Sequence, residues 1–178
     1  MGIIKQGVWL LPALFAAFAG ASDWRTRRIP NWLTVSGLLV GIATNSLLRG
    51  WPGAKDSLLG AGLGLLLLLP FVLVHSLGAG DWKLVGALGA FLGPQRLITV
   101  LFAAILVAGA MALVLIVYKG RVRQTFHNIA RMLAAFLSLH LPGPELSLDN
   151  PESLKIPFGV AVAVAVILYT AGQAWSTA

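Results

Sequence analysis

The sequence contains no cysteine and few charged residues. With 0 cysteines among 178 residues, disulfides, thiolate metal sites and cysteine nucleophiles are excluded from this stretch of chain. Only 11% of the residues are charged, compared with about 25% in an average soluble domain. Only 6 residues are acidic. Each carboxylate is therefore informative about possible acid–base chemistry.

The composition predicts an all-α polytopic membrane protein. Apolar residues make up 58% of the chain, and the mean hydropathy is +0.86. They come in continuous runs, which is typical of transmembrane helices and not of alternating barrel strands. The net charge of +7 is divided into short clusters between these runs. We therefore interpret it as membrane orientation and expect no nucleic-acid binding.

The apolar runs predict a single membrane-embedded domain, residues 1–178, with about six transmembrane helices. Apolar residues at helical spacing also predict an amphipathic interfacial helix at about 127–141. The first run could alternatively be a cleaved signal peptide, although the basic cluster after it would hinder translocation. The expected spans are about 3–21, 32–48, 57–77, 81–93, 97–118 and 156–173, with a loop at Arg49 to Asp56.

The short segment 81–93 is counted as a span because of the distribution of charge. If this segment crosses the membrane, most basic residues lie on one side of it. The positive-inside rule makes that side cytoplasmic, and both termini are then outside. Asp23 and Asp81 then lie at equal depth near the cytoplasmic face, which is what a shared site requires. The basic residues on that side are Arg25, Arg27, Arg28, Lys83, Lys119, Arg121, Arg123, Arg131 and Lys155.

Asp23 and Asp81 are therefore the candidate functional pair. Two carboxyl groups close together share one proton, so one can activate water while the other polarises a peptide carbonyl. Gly78 and Gly80 would give the backbone beside Asp81 freedom to unwind. The residues alone do not separate peptide hydrolysis from ion or proton transport, and a non-catalytic membrane scaffold is a third possibility.

Two motifs resemble those of a known family. Gly78-Ala79-Gly80-Asp81 is similar to the GxGD motif of intramembrane aspartic peptidases, and its continuation through Lys83 to Leu84 resembles the type IV prepilin peptidase branch. Asp23, followed after two residues by Thr26-Arg27-Arg28-Ile29-Pro30-Asn31, resembles that family's first aspartate loop. Lys155 to Gly159 also resembles a late family segment at the start of the last helix.

The resemblance implies an aspartic endopeptidase with Asp23 and Asp81 as its catalytic pair and with no metal or cofactor. Its substrate would be a prepilin or pseudopilin precursor, whose short basic leader is removed at the cytoplasmic face of the bacterial inner membrane. The chain has no cysteine and only a short segment before Asp23, and in both respects it resembles the short Tad/Flp-type members of the family. We therefore expect no methyltransferase activity. The expected supporting residues are Gly78, Gly80, Lys83, Pro30 and Asn31.

The remaining polar residues have less specific interpretations. Lys83 either reaches the membrane interface or contributes to the site, and Asn31 is expected to hydrogen bond at a helix start. The arginines after Asp23 are expected to anchor the topology. The three histidines, His75, His127 and His140, are too scattered for a metal site. The acids Glu145, Asp149 and Glu152 are expected in a solvated loop.

Overall fold

The structure, a computed structural model, describes residues 2–73, 77–120, 127, 130 and 156–176. These ranges are mostly helical and contain no strand, which confirms the all-α prediction for them. Within them, four helices can be given bounds: α1 (Gly2–Thr26), α2 (Asn31–Leu73), α3 (Ala79–Tyr118) and α4 (Phe158–Ser176).

Two of these helices are long and apolar enough to cross a membrane, namely α2 and α3, and Phe158–Gln173 is a shorter apolar helix. Large apolar side chains such as Leu47, Leu66 and Val114 are exposed along them. A soluble monomer rarely exposes so much contiguous apolar surface. Together with the composition, these features indicate a membrane protein.

Each of the two long helices turns at a glycine. A straight α2 of 43 residues would be about 65 Å long, roughly twice the thickness of a bilayer's hydrocarbon core. The backbone is not helical at Gly50 (φ 63°, ψ −148°) or at Gly93 (φ 75°, ψ 173°), a region that side chains make inaccessible. Each long helix therefore has a first arm and a second arm: 31–49 and 51–73 in α2, and 79–92 and 94–118 in α3.

The expected element boundaries differ from the observed ones at three places. The loop expected at Arg49 to Asp56 is helical on both sides of Gly50, because Pro52 is accommodated in the first turn of the second arm. Helix α1 continues past the expected end of its span to Thr26, so it includes Asp23. Leu77, the expected end of the third span, is not helical. The predicted interfacial helix 127–141 lies outside the described residues except for two exposed helical residues, His127 and Ala130.

The two arms of α2 run in opposite directions along the first arm of α3. In the first arm, Asn31 bonds Lys83 and Asn45 bonds Ala90, so the numbering rises together. In the second arm, Gly60 approaches Gly89, whereas the later Gly64 approaches the earlier Val85. The first arm of α3 is therefore packed against a helical hairpin.

The carbonyl of Ala90 ties both arms of this hairpin to α3. Pro94 has no N–H, so the carbonyl four residues before it loses its usual helical partner. Asn45 Nδ2 donates to it at 2.9 Å and Ser57 Oγ donates at 2.7 Å. Both donors are buried. An unpaired carbonyl within a membrane would cost several kcal/mol, so these two side chains stabilise the bend at Gly93.

Glycines allow the closest contacts between helices. The backbones of Gly60 and Gly89 touch directly, and a Cβ on either residue would overlap the other's carbonyl oxygen. Helices α1 and α4 are antiparallel, since Gly20 packs against Ala163 and Trp9 against Tyr169. The guanidinium of Arg96 on α3 stacks over the Trp9 ring at 5.0 Å, so α3 joins α1 and α4 at the end remote from Asp23.

Replacing Gly60 with alanine should destabilise the protein, because the added methyl group would overlap the carbonyl of Gly89. We expect a loss of about 1–3 kcal/mol, measured as a lower midpoint of thermal unfolding in detergent. Gly62→Ala is the matched control, because a Cβ there meets no atom within 4 Å. Equal midpoints for the two variants would contradict the proposed contact.

Candidate active site

Asp23 lies in the last turn of α1, close to the connection to α2. Its side chain is only 7% exposed. Its carbonyl accepts the N–H of Arg27 at 2.9 Å, and Arg27 has the left-handed φ of 53° that ends the helix. The C-terminal turn of α1 therefore holds a buried carboxylate directly before a sharp change of chain direction.

The connection that follows Asp23 is held by two hydroxyl groups. Ser22 Oγ donates to the carbonyl of Arg28 at 2.9 Å, and the hydroxyl of Thr26 is shared between the carbonyls of Ser22 at 2.9 Å and Arg28 at 3.1 Å. Ile29 is buried in the bundle core, and Pro30 accepts the first N–H groups of α2. This arrangement turns the chain over the N-terminus of α3.

Asp81 lies in the first turn of α3, where the helix dipole favours a negative charge. The residue before the helix, Gly78, has extended backbone angles, and a Cβ there would lie 3.3 Å from Asp81 Oδ2. Gly80 packs against Ile29, and a Cβ on Gly80 would lie 3.5 Å from the backbone N and O of Ile29. Neither glycine has a positive φ. The two glycines therefore allow Asp81 and Ile29 to pack closely against the start of α3, and neither is needed for an unusual backbone angle.

One cleft of about 230 Å³ brings the two aspartates together. Asp23 and Asp81 both line it and interact electrostatically. At about 30 Å³ per water molecule, the cleft has room for several waters. Its lining residues are Asp23, Arg27, Arg28, Ile29, Gly78, Gly80 and Asp81.

A backbone group from α4 completes the surroundings of Asp23. The N–H of Gly159 donates to Asp23 Oδ2 at 2.9 Å, and this bond is buried. We did not expect Gly159 in the site from the sequence. The signal was present, because Pro157 marks the start of a helix, and the first N–H groups of a helix have no partner within it.

Lys83 and Asn31 are also brought together. Lys83 Nζ donates to Asn31 Oδ1 at 2.9 Å, so the bond joins the first turn of α2 to the first turns of α3. Asn31 is the first residue of α2 and forms a hydrogen bond there, as expected, and its partner lies on α3. Neither residue lines the cleft between the aspartates.

Of the other sequence-predicted groups, two arginines line the cleft, and several residues lie outside the described ranges. Arg27 and Arg28 line the cleft and are exposed, whereas Arg25 is exposed without lining it. The predictions for His75, His140 and the acidic loop at Glu145 to Glu152 concern residues outside the described ranges. Within those ranges, no group of three or more histidine or acidic side chains could hold a metal ion.

Comparison with known proteins places the chain in a family. Residues 10–113 match the family model described as the type IV leader peptidase family. The chain is 29% identical over 126 residues to a prepilin leader peptidase/N-methyltransferase of Xanthomonas campestris pv. campestris, covering 67% of this chain and 43% of that protein. It is 35% identical over 119 residues to a protein of the same name from Myxococcus xanthus, covering 63% of this chain and 34% of that protein.

The aligned regions thus span less than half the length of these curated relatives. No solved structure gives a significant match. The family match covers more than half of the chain and includes both Asp23 and Asp81. The resemblance inferred from the motifs is thereby confirmed, and the chain belongs to the type IV leader peptidase family.

Proposed function

We propose that the protein is a membrane aspartic endopeptidase that removes the short basic leader of prepilin-like proteins. The observation that carries the proposal is the cleft in which Asp23 and Asp81 interact. Membership of the leader peptidase family and the names of the relatives support the reaction and the substrate class. The alternatives, a transporter or a non-catalytic scaffold, are not supported by the family relationship.

The chemistry follows from two carboxyl groups that share one proton. The ionised carboxylate removes a proton from a water molecule in the cleft, and the resulting oxygen nucleophile attacks the scissile carbonyl carbon. The protonated carboxyl group donates its proton to the carbonyl oxygen, giving a neutral tetrahedral intermediate. The carboxyl group that took the proton from water then donates it to the amine nitrogen, the other carboxylate takes a proton from a hydroxyl of the intermediate, and the C–N bond breaks. The pair acts as a unit, so activity should be bell-shaped with pH.

We also propose that the bends divide the long helices into separate membrane crossings, giving six with α1 and α4. The cleft end of the bundle carries Arg25, Arg27 and Arg28. Arg49, which bonds Asn45, and Arg96, which stacks over Trp9, lie towards the opposite end. By the positive-inside rule, the cleft then lies near the cytoplasmic face of the bacterial inner membrane and both termini lie outside. A precursor with an apolar helix could present its leader at that face while its helix stays in the bilayer.

Replacing either aspartate by asparagine should abolish processing, because the size is kept while the proton-transfer group is lost. We expect at least about a 100-fold fall in the rate of cleavage of a co-expressed pilin precursor for Asp23→Asn and for Asp81→Asn. The measurement is the ratio of precursor to mature pilin on a gel, with mass spectrometry to identify the new N-terminus.

Asp56→Asn is the matched control for these variants. Asp56 is ion-paired with Arg49 at 3.0 Å, is half-exposed, and does not line the cleft. An exposed pair of this kind contributes at most about 1 kcal/mol, so this variant should process the precursor normally. Normal processing by both cleft variants would exclude a catalytic pair.

The proposed topology can be tested by labelling single cysteines, since the chain has 0 native cysteines to react. Trp24, beside the cleft aspartate, and Trp51, beside the bend of α2, are both exposed. We expect an impermeant maleimide to label Trp51→Cys in spheroplasts and Trp24→Cys only in inverted vesicles. Labelling of both variants from the same side would contradict the orientation.

The expected lack of N-methyltransferase activity stays a prediction. It is supported by the absence of cysteine, since the resemblance implies that members with methyltransferase activity carry paired cysteines. Purified protein incubated with precursor and S-adenosylmethionine should release a mature pilin without added mass. A gain of about 14 Da on the new N-terminus, which a methyl group adds, would contradict it.

A further inference from the structure

We propose that Gly159 is a positioning residue that keeps Asp23 as the ionised member of the pair. Asp23 is then the base that takes a proton from water, and Asp81 is the acid that donates one to the carbonyl oxygen. This assignment rests on the proposed peptidase function. It adds a residue outside the family-matched region 10–113 and gives the two aspartates different roles.

The hydrogen bond from α4 is the first argument. The Gly159 N–H donates to Asp23 Oδ2 at 2.9 Å in a buried position. Asp23 lies at the C-terminal end of α1, where the dipole of its own helix opposes a negative charge. The N-terminal turn of α4 presents the opposite end of a helix dipole to the same carboxylate. A hydrogen bond donated to the ionised form favours that form.

The second argument is the difference between the two carboxyl groups. Besides the Gly159 N–H, α4 presents the backbone N–H of Val160 to Asp23. The carboxyl group is also faced by Arg27 and Arg28 from the connection and by Asp81 from α3. The dipole of α3 also favours a charge on Asp81, but in the ranges that the structure describes no donor hydrogen bonds to its carboxyl group. When two interacting carboxyl groups share one proton, the group with the better donors ionises first. The proton therefore resides on Asp81.

The third argument is that the residue type at position 159 is determined by Asp23. A Cβ on Gly159 would lie 2.9 Å from Asp23 Oδ2, closer than Cβ atoms approach other atoms in proteins, and 3.0 Å from Asp23 Cβ, which is also unusually close. A larger residue would push the start of α4 away from the carboxylate. At Gly172, on the same helix, a Cβ would meet no atom within 4 Å.

The test compares the pH dependence of cleavage in Gly159→Ala, Gly172→Ala and wild type. The acid limb of the kcat/KM profile should move to higher pH by about one unit in Gly159→Ala, since a charge-assisted bond to Asp23 is weakened. The alkaline limb should stay in place, and KM for a precursor peptide should change less than about twofold. Gly172→Ala should match wild type in all three measurements.

A second variant removes the N–H without adding bulk. Replacing Gly159 by glycolic acid exchanges the peptide N–H for an ester oxygen and leaves the side chain unchanged. It should give the same shift of the acid limb, and it keeps the proposal testable if Gly159→Ala does not fold. A wild-type profile in the ester variant would overturn the positioning role, and a shift of only the alkaline limb would overturn the assignment of Asp23 as the base.

The outcomes separate this inference from the proposed function. If Asp23→Asn and Asp81→Asn are inactive while the ester variant behaves as wild type, the pair stands and the role of Gly159 is wrong. If the two asparagine variants process the precursor normally, the peptidase proposal itself fails.

Discussion

The direct backbone contact between Gly60 and Gly89 determines how the first arm of α3 is seated. Lipid chains are as apolar as a leucine side chain, so helices within a bilayer gain little from burying apolar surface against one another. Close packing and hydrogen bonds must hold them together instead. Here the glycine contact is reinforced by Asn45 and Ser57, which bond the carbonyl of Ala90. Asp81 lies about two helical turns from this contact on the same arm, so its position depends on packing remote from the cleft.

The candidate site depends on three helices, none of which is sufficient alone. Helix α1 supplies Asp23, α3 supplies Asp81, and α4 supplies the N–H of Gly159. The connection after α1 brings the first two together, because the hydroxyls of Ser22 and Thr26 fix the chain so that Ile29 packs on Gly80. This explains why residues close to Asp23 and Asp81 in sequence form the cleft lining, although the two aspartates are far apart along the chain.

Much of this arrangement could be predicted from the sequence, because apolar runs and rare charges carry strong signals. The helical class followed from composition, and the two aspartates followed from their positions beside apolar runs. The turn in α2 was expected as a loop, since Trp51, Pro52 and Gly53 resemble one. A single glycine backbone conformation replaces that loop, and φ at Gly50 cannot be read from neighbouring residues. The bond between Lys83 and Asn31 depends on packing between helices, which a local pattern does not contain.

Gly159 was missed for a different reason: its contribution is a backbone N–H, which carries no side-chain signal. Its chemistry nevertheless suits a carboxylate held near a membrane. A lysine or arginine buried against Asp23 would bring its own cost of desolvation and would pull the shared proton away from both carboxyl groups. A backbone N–H at the start of α4 stabilises one carboxylate without adding a charge. The arginines can then remain exposed at the rim of the cleft, where hydration of their charges is retained. Because Gly159 has no Cβ, the start of α4 can approach Asp23 closely enough to stabilise it as a buried carboxylate, beside Asp81, which keeps its proton.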